Sequence, residues 1–194
     1  ALEPLEALLE VLTPLTRLGR PALAAVDGRC GSGKSTLSEL AARRLHCPLF
    51  HMDDFFLPPE LRTPQRYAQP GGNVHYERVE AELLRPIRET GAARFRPFDC
   101  HSLGYGAPVE VSVPGLAIVE GSYSLHPALR RYYDVTVFLT CEAKEQRRRL
   151  LNREGPEGLS RFLEKWIPLE EHYFQGVGLP AAGDLVLDTT PHGG

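Results

Sequence analysis

The stretch Gly28-Arg29-Cys30-Gly31-Ser32-Gly33-Lys34-Ser35-Thr36 fits G-x-x-x-x-G-K-[ST], the pattern of a loop that wraps a polyphosphate. It stands where that chemistry needs it. The apolar run Ala22 to Val26 predicts a strand before it, and Lys34 to Leu45 predicts a helix after it. Glycines let successive backbone N–H groups curl around phosphate without Cβ clashes. The helix N-terminus adds unsatisfied N–H donors and the positive end of its dipole. Gly28, Cys30, Gly31, Ser32, Gly33, Lys34, Ser35 and Thr36 are therefore the candidate nucleotide-binding residues. Lys34 would reach the β- and γ-phosphates of ATP, and the Ser35 hydroxyl would ligate Mg²⁺.

Outward from the loop, short β-rich apolar runs alternate with helical stretches. That is the pattern of an α/β fold with a mainly parallel sheet of about five strands and helices on both faces. Leu49 to Met52, Leu116 to Glu120, Val135 to Leu139 and Asp184 to Leu187 supply the other strands. Arg94 to Phe98 predicts a further strand, and His101 to Pro114 a turn-rich hairpin. Pro58 to Gly72 reads as a long, mobile loop on the substrate side. Tyr76 to Glu89 has helical spacing, with Pro86 inside it to kink or shorten it. Ala143 to Glu154 predicts a strongly basic helix, Gly155 to Gly158 a hinge, and Arg161 to Phe174 a helix interrupted near Pro168. The region 143–160 reads as a helical lid. Ala1 to Leu18 reads as an amphipathic helix capping the domain, since Glu3, Glu6 and Glu10 sit among leucines and no basic n-region precedes them. No repeat or linker divides the 194 residues, so one P-loop domain over 1–194 is expected.

Bulk properties narrow the partners. With 22 Lys+Arg against 25 Asp+Glu the net charge is −3, which lacks the overall positive field of a nucleic-acid binder. A hydrophobic fraction of 42% with 24% charged residues excludes wholesale disorder. Apolar runs such as Leu116 to Val119 are too short to span a bilayer, so no membrane partner is expected. Cys30, Cys47, Cys100 and Cys141 form no CxxC pair, which favours free thiols in a cytoplasmic protein over a zinc site. Only Lys34, Lys144 and Lys165 are lysines; the remaining basic residues are arginines.

A phosphate loop does not by itself reveal the reaction. The Asn-Lys-x-Asp and Asp-x-x-Gly strings of GTPases are absent, as is the Leu-Ser-Gly-Gly signature of transport ATPases. Transfer of a γ-phosphoryl group to a small-molecule acceptor leads, with a nucleotide-dependent binding module of slow ATPase activity as the alternative from another class. His51-Met52-Asp53-Asp54-Phe55-Phe56 ends the second predicted strand, and ligand chemistry in open α/β sheets gathers at strand carboxyl ends. Asp53 is thus the candidate general base for an acceptor hydroxyl. Glu120 ends a buried run just before Gly121 and would hold Mg²⁺ together with Ser35. Asp27 reads as structural. Arg149 and Arg153 share a helix face and are candidates to close over ATP, while Arg147 and Arg148 point to solvent. Phe56, Phe98 and His101 are the aromatic and histidine candidates for acceptor contact. Cys30, in a loop opening a helix, is expected to have a lowered thiol pKa.

From Val26 to about Phe174 the sequence resembles the uridine kinase/phosphoribulokinase family of P-loop kinases. Asp53-Asp54-Phe55-Phe56 is similar to that family's Asp-x-Phe-Tyr segment, and the resemblance implies that Asp53 is the base. Asn73-Val74-His75-Tyr76 and the helix after it resemble the stretch that helps hold the sugar, which implies His75 as an acceptor contact. Pro97-Phe98-Asp99 with His101-Ser102 looks like the pieces near the nucleobase, and Ile118-Val119-Glu120-Gly121 matches the strand ending in Glu-Gly. Arg149 and Arg153 fall where the family's lid carries phosphate-binding arginines. Phe56 and Phe98 stand where the family has Tyr, the spacing from Asp99 to His101 is shorter, and Val74 or His75 occupies an acidic ribose-binding position. The resemblance implies an ATP- and Mg²⁺-dependent kinase, with a nucleoside as the leading acceptor. A vitamin precursor or sugar phosphate is the alternative that the departures favour.

Overall fold

A computed structural model describes residues 2–192. The first helix, α1 (Leu2–Leu12), continues into a 3₁₀ turn at Thr13–Arg17 and leads to β1 (Ala22–Gly28). The phosphate loop then opens α2 (Lys34–Leu45), followed by β2 (Leu49–His51) and the short α3 (Pro64–Tyr67). Next come α4 (Tyr76–Arg78), α5 (Arg85–Thr90), β3 (Ala92–Phe95), β4 (Phe98–Asp99), β5 (Gly104–Tyr105) and β6 (Val109–Ser112). The chain closes with β7 (Leu116–Glu120), β8 (Val135–Thr140), α6 (Ala143–Arg161), α7 (Ile167–Val177) and β9 (Leu185–Asp188).

Five strands form one parallel sheet in the order β2-β7-β1-β8-β9. Every residue of β1 and of β7 is buried, as required of central parallel strands covered on both faces. The two-residue strand period sends their side chains alternately into two cores. Ala22, Ala24, Val26, Ile118, Val137 and Leu139 meet α1 and α2 on one side. Leu23, Ala117, Val119 and Phe138 meet Val79, Leu83, Ile87 and Phe174 on the other. This is the P-loop α/β architecture expected from the sequence. Gly28 shows why the loop must begin with glycine. Its φ is 140°, and a Cβ there would lie 2.1 Å from the Leu139 carbonyl oxygen, where β1 and β8 pair.

Departures from the expected elements have local causes. The strand expected over Arg94 to Phe98 splits into β3 and β4 at Pro97, which has no N–H for a ladder. The two pieces join separate antiparallel ribbons, β3 with β6 and β4 with β5. The segment expected to be a mobile loop at 58–72 carries α3. It is tied down by the Arg66 guanidinium, which donates to the Gly72 and Val74 carbonyls at 2.7 and 3.0 Å. The chain stays helical from Tyr76 to Thr90 because a π turn at Val79–Leu84 precedes Pro86. A second π turn at Phe162–Trp166 precedes Pro168 in the same way. The wider turn accommodates a ring that brings no N–H and crowds the preceding carbonyl. Gly155 is the one non-helical residue inside α6, with φ 73° and ψ 179°, at the position read as a hinge. No helix among the described residues is long and apolar enough to cross a membrane.

Candidate active site

The phosphate loop is held from inside by its own lysine. Lys34 Nζ donates to the carbonyls of Gly28 and Arg29, both at 2.9 Å, leaving one of its three donors for a phosphate. Several loop amides are already engaged. Gly28 N–H donates to Asp27 Oδ1 at 2.7 Å, and Ser32 N–H to the Arg29 carbonyl at 3.1 Å. Gly28 and Ser32, read from the sequence as phosphate contacts, have their amides turned to these internal partners and do not line the cleft. Their part is to shape the loop, Gly28 through its carbonyl and Ser32 through a carbonyl that accepts from Thr189 Oγ1 at 2.7 Å. Gly31, Gly33, Lys34, Ser35 and Thr36 face the cleft, where the first-turn amides of α2 have no intrahelical partners.

Helix α7 grips the loop from the far side. Asp27 is fully buried and accepts four hydrogen bonds: from the amides of Gly28, Tyr123 and Leu125, and from the Tyr173 hydroxyl at 2.7 Å. One turn earlier, Glu170 accepts from the Cys30 amide and from the Ser122 hydroxyl, both at 2.9 Å. Glu171 pairs with Arg29. Asp27 is thus structural, as the sequence suggested. Burial outweighs its hydrogen bonds and raises its pKa to about 6. A carboxyl with a raised folded pKa favours the folded state when protonated, so its contribution falls as pH rises from about 4 through about 6. Wild type is therefore expected to lose stability relative to Asp27→Asn by on the order of 3 kcal/mol between pH 4 and pH 7. Urea unfolding of both proteins at both pH values checks this; a difference independent of pH would refute it.

At the carboxyl end of the sheet, β2 and β7 set His51 opposite Glu120. His51 Nδ1 lies 2.5 Å from Glu120 Oε1, and the Ser35 hydroxyl donates to the same oxygen at 3.2 Å. The hydrogen bond to Glu120 raises the His51 pKa. No cluster of three or more His, Cys, Asp or Glu side chains among the described residues forms a metal cage. A hydroxyl and a carboxylate side by side at the phosphate loop nevertheless fit Mg²⁺. That ion keeps several waters and takes only one or two protein oxygens beside phosphates. Asp53, one residue into the 3₁₀ turn after β2, faces the same cleft. Its pKa is raised by burial first and by the nearby Glu120 charge second, with Lys34 opposing both.

These groups share one cavity of about 680 Å³. It brings together Cys30, Gly31, Gly33, Lys34, Ser35, Thr36, Asp53, Phe56, His101, Glu120 and Arg153 from the residues the sequence singled out. Besides Gly28 and Ser32, three others lie elsewhere. Arg149 does not reach the cleft: its guanidinium donates to the Gly31 and Thr189 carbonyls, to Thr189 Oγ1 and to Glu145, bracing α6 against the loop. Phe98 is a core residue, packed edge-on against Tyr105. His75 does not line the cavity; its amide donates to the Phe55 carbonyl at 2.8 Å, and burial lowers its ring pKa. The expected lowering of the Cys30 thiol pKa is also reversed. Burial and the Glu170 charge push it up to about 12.

The cavity also contains groups that sequence reasoning passed over, chiefly Asn73, Ser122, Trp166 and Glu170. The position of Asn73 within the sugar-holding motif was a usable signal. Glu170 offered none, since it is one acid among several on a helix. The four cysteines are free thiols.

No family model matches the chain, and no curated protein matches it. Solved structures do. A possible uridine kinase from Bacillus stearothermophilus superposes with a TM-score of 0.74 at 18% identity, over 96% of this chain and 98% of that one. A protein described as a fructose transport system kinase from Silicibacter sp. TM1040 gives 0.71 at 25% identity, over 94% and 98%. A D-glycerate 3-kinase from Cryptococcus neoformans gives 0.63 at 15% identity, over 96% and 93%. The chain thus has the fold of the uridine kinase-like P-loop kinases.

Proposed function

We propose that this chain is a phosphotransferase that moves the γ-phosphoryl group of ATP to a hydroxyl of a small-molecule acceptor. The observation that carries the reading is Asp53 lining the same cavity as Lys34 and the Ser35–Glu120 pair. A base for the acceptor therefore stands across from the donor's phosphates. The loop amides and Lys34 would hold and neutralise the β- and γ-phosphates, and Arg153, beyond the Gly155 hinge side of the cleft, would add positive charge as the lid closes. Ser35 and Glu120 would hold Mg²⁺, which when bound supplies further neutralisation of the phosphate charge. Asp53 orients the acceptor hydroxyl and takes its proton. The acceptor oxygen forms a bond to the γ-phosphorus as the bond from that phosphorus to the β,γ-bridging oxygen breaks, and ADP leaves with the electron pair.

The nucleoside acceptor expected from the family resemblance is supported at the sugar side, where Asn73 faces the cleft. It is weakened at the base side, where Phe98 is buried in the core. A sugar acceptor is the second reading, and the withdrawal of Phe98 favours it. ADP release by the purified protein with MgATP, measured with and without candidate hydroxyl acceptors, tests the function. Acceptor-stimulated release is expected. A slow ATPase rate unchanged by every acceptor, with a nucleotide-dependent change in protein binding, would instead identify a nucleotide-switched binding module.

A further inference from the structure

The carbonyls of Cys30, Gly31 and Ser32 follow one another along the phosphate loop, and each is captured from outside by a different side chain. Gln146 Nε2 donates to the Cys30 carbonyl at 2.9 Å, Arg149 Nη1 to the Gly31 carbonyl at 3.0 Å, and Thr189 Oγ1 to the Ser32 carbonyl at 2.7 Å. These donors stand on α6 and just after β9, and none of them lines the cavity. A peptide unit is planar and trans, so the C=O of one residue and the N–H of the next point in opposite directions. Turning the Cys30 and Ser32 carbonyls outward therefore turns the Gly31 and Gly33 amides the other way, and both glycines line the cavity. Neither amide has a hydrogen-bond partner among the described residues. The plane between them differs: the Ser32 amide is spent on the Arg29 carbonyl at 3.1 Å, so Arg149 aims no donor at the cleft.

The backbone alone does not fix the two outer planes. Gly31 and Gly33 have φ of 72° and 93°, and glycine takes either sign of φ about equally well. A rotated plane would present a carbonyl oxygen where a phosphate oxygen has to sit, replacing a donor by a repelling dipole. What opposes rotation is the outer hydrogen bond. Gln146 is 7% exposed and its bond to Cys30 is buried, so breaking it strands a buried acceptor. The Thr189 hydroxyl accepts from Arg149 at 2.9 Å, and of the carbonyls within reach of its hydrogen Ser32, at 2.7 Å, is nearer than Thr140, at 3.3 Å.

Resting on the reading of this loop as the donor's phosphate site, we infer that Gln146 and Thr189 are positioning residues for the nucleotide. Gln146 aims the Gly31 amide, and Thr189 aims the Gly33 amide. Neither touches the phosphates; each sets the direction of a group that does.

The test measures calorimetric Kd values for MgATP and for inorganic tripolyphosphate with Mg²⁺, beside urea unfolding of the same proteins. Thr189→Val removes the hydroxyl at nearly equal volume, Thr189→Ser keeps it, and Gln146→Met keeps the side chain's length without its N–H donors. Thr189→Val and Gln146→Met should each weaken both probes by about tenfold, the loss expected when a buried polar partner is removed. Tripolyphosphate has no sugar or base, so an equal loss for the two probes places the effect at the phosphate loop. Thr189→Ser should bind both within about threefold of wild type. The two residues act on different planes, so either variant carries the test if the other does not fold. Unchanged Kd values with a lowered urea midpoint would overturn the inference and reduce both residues to braces for α6 and β9. So would a loss for MgATP alone, or a Thr189→Ser protein no better than Thr189→Val. Tight MgATP binding that follows these expectations, with ADP release unstimulated by every acceptor, would end the phosphotransferase reading and leave this assignment standing. Wild type that binds neither probe would end both.

Discussion

Asp53→Asn is expected to lower kcat by about 10²–10⁴, the range lost when a positioned proton acceptor is removed. The calorimetric Kd for MgATP should change by less than about threefold. The separation follows from where Asp53 sits. It lines the cavity and makes no hydrogen bond to the phosphate loop, which is held instead by Lys34, Glu170, Asp27, Gln146, Arg149 and Thr189. Asn is nearly isosteric and keeps a hydrogen-bond acceptor for the substrate hydroxyl, so the acceptor KM should move little. What it cannot do is take the proton. The raised Asp53 pKa adds a pH signature. Protonation disables the base, so wild-type kcat should fall on the acid side, with the limb displaced upward from that of an unperturbed aspartate. The residual activity of the variant should lack that limb. Turnover equal to wild type would remove Asp53 from the mechanism.

Lys34→Ala is expected to be at least as severe, with kcat/KM for ATP down by about 10³-fold or more, since it removes the principal preorganised charge at the transferring group. The side chain is 8% exposed and closes the loop onto itself through the Gly28 and Arg29 carbonyls. Its loss therefore both removes a phosphate donor and takes the lysine partner from two carbonyls, of which Arg29 keeps the Ser32 amide. Lys34→Arg should recover little, because the planar fork is too broad for a slot where Nζ sits 2.9 Å from each of two oxygens. Trp166 is the only tryptophan in the chain and lines the cavity, so its fluorescence reports nucleotide binding without a label. Wild type should show an ATP-dependent change that Lys34→Ala loses at the same concentrations. Wild-type kinetics in that variant would dismiss the phosphate-loop assignment.

What the sequence made legible was local or periodic. The Gly-Lys-Ser loop, the five strand runs and the acids at the ends of β2 and β7 all depend on neighbours within a few residues, so Lys34, Ser35, Asp53 and Glu120 could be placed before any coordinates. The misplaced site residues, unlike the element boundaries, were decided by long-range contacts. Arg149 looked like a lid residue because its i, i+4 spacing with Arg153 was visible, whereas its partners Gly31 and Thr189 lie 118 and 40 positions away. Cys30 carried the visible signal of a helix N-terminus, but the burial and the Glu170 charge that decide its pKa come from α7. Phe98 and His75 were assigned by motif, and the hairpin of β4 and β5 turned one into the core while the turn onto α4 turned the other away. Glu170 itself was beyond reach, because the helical period that would have aligned it with the cleft is broken by the π turn just upstream.

That π turn has a geometric consequence of its own. A π turn fits one more residue into the turn than an α turn does, so at Phe162–Trp166 the extra residue is absorbed and the helical run passes from α6 into α7 ahead of Pro168. The Gly155 hinge and Arg153 are thereby carried on the same run as Glu170, Glu171 and Tyr173, which clasp the phosphate loop and the end of β1 before it. The hinge is thus tethered, through one continuous run of helix, to the loop it faces.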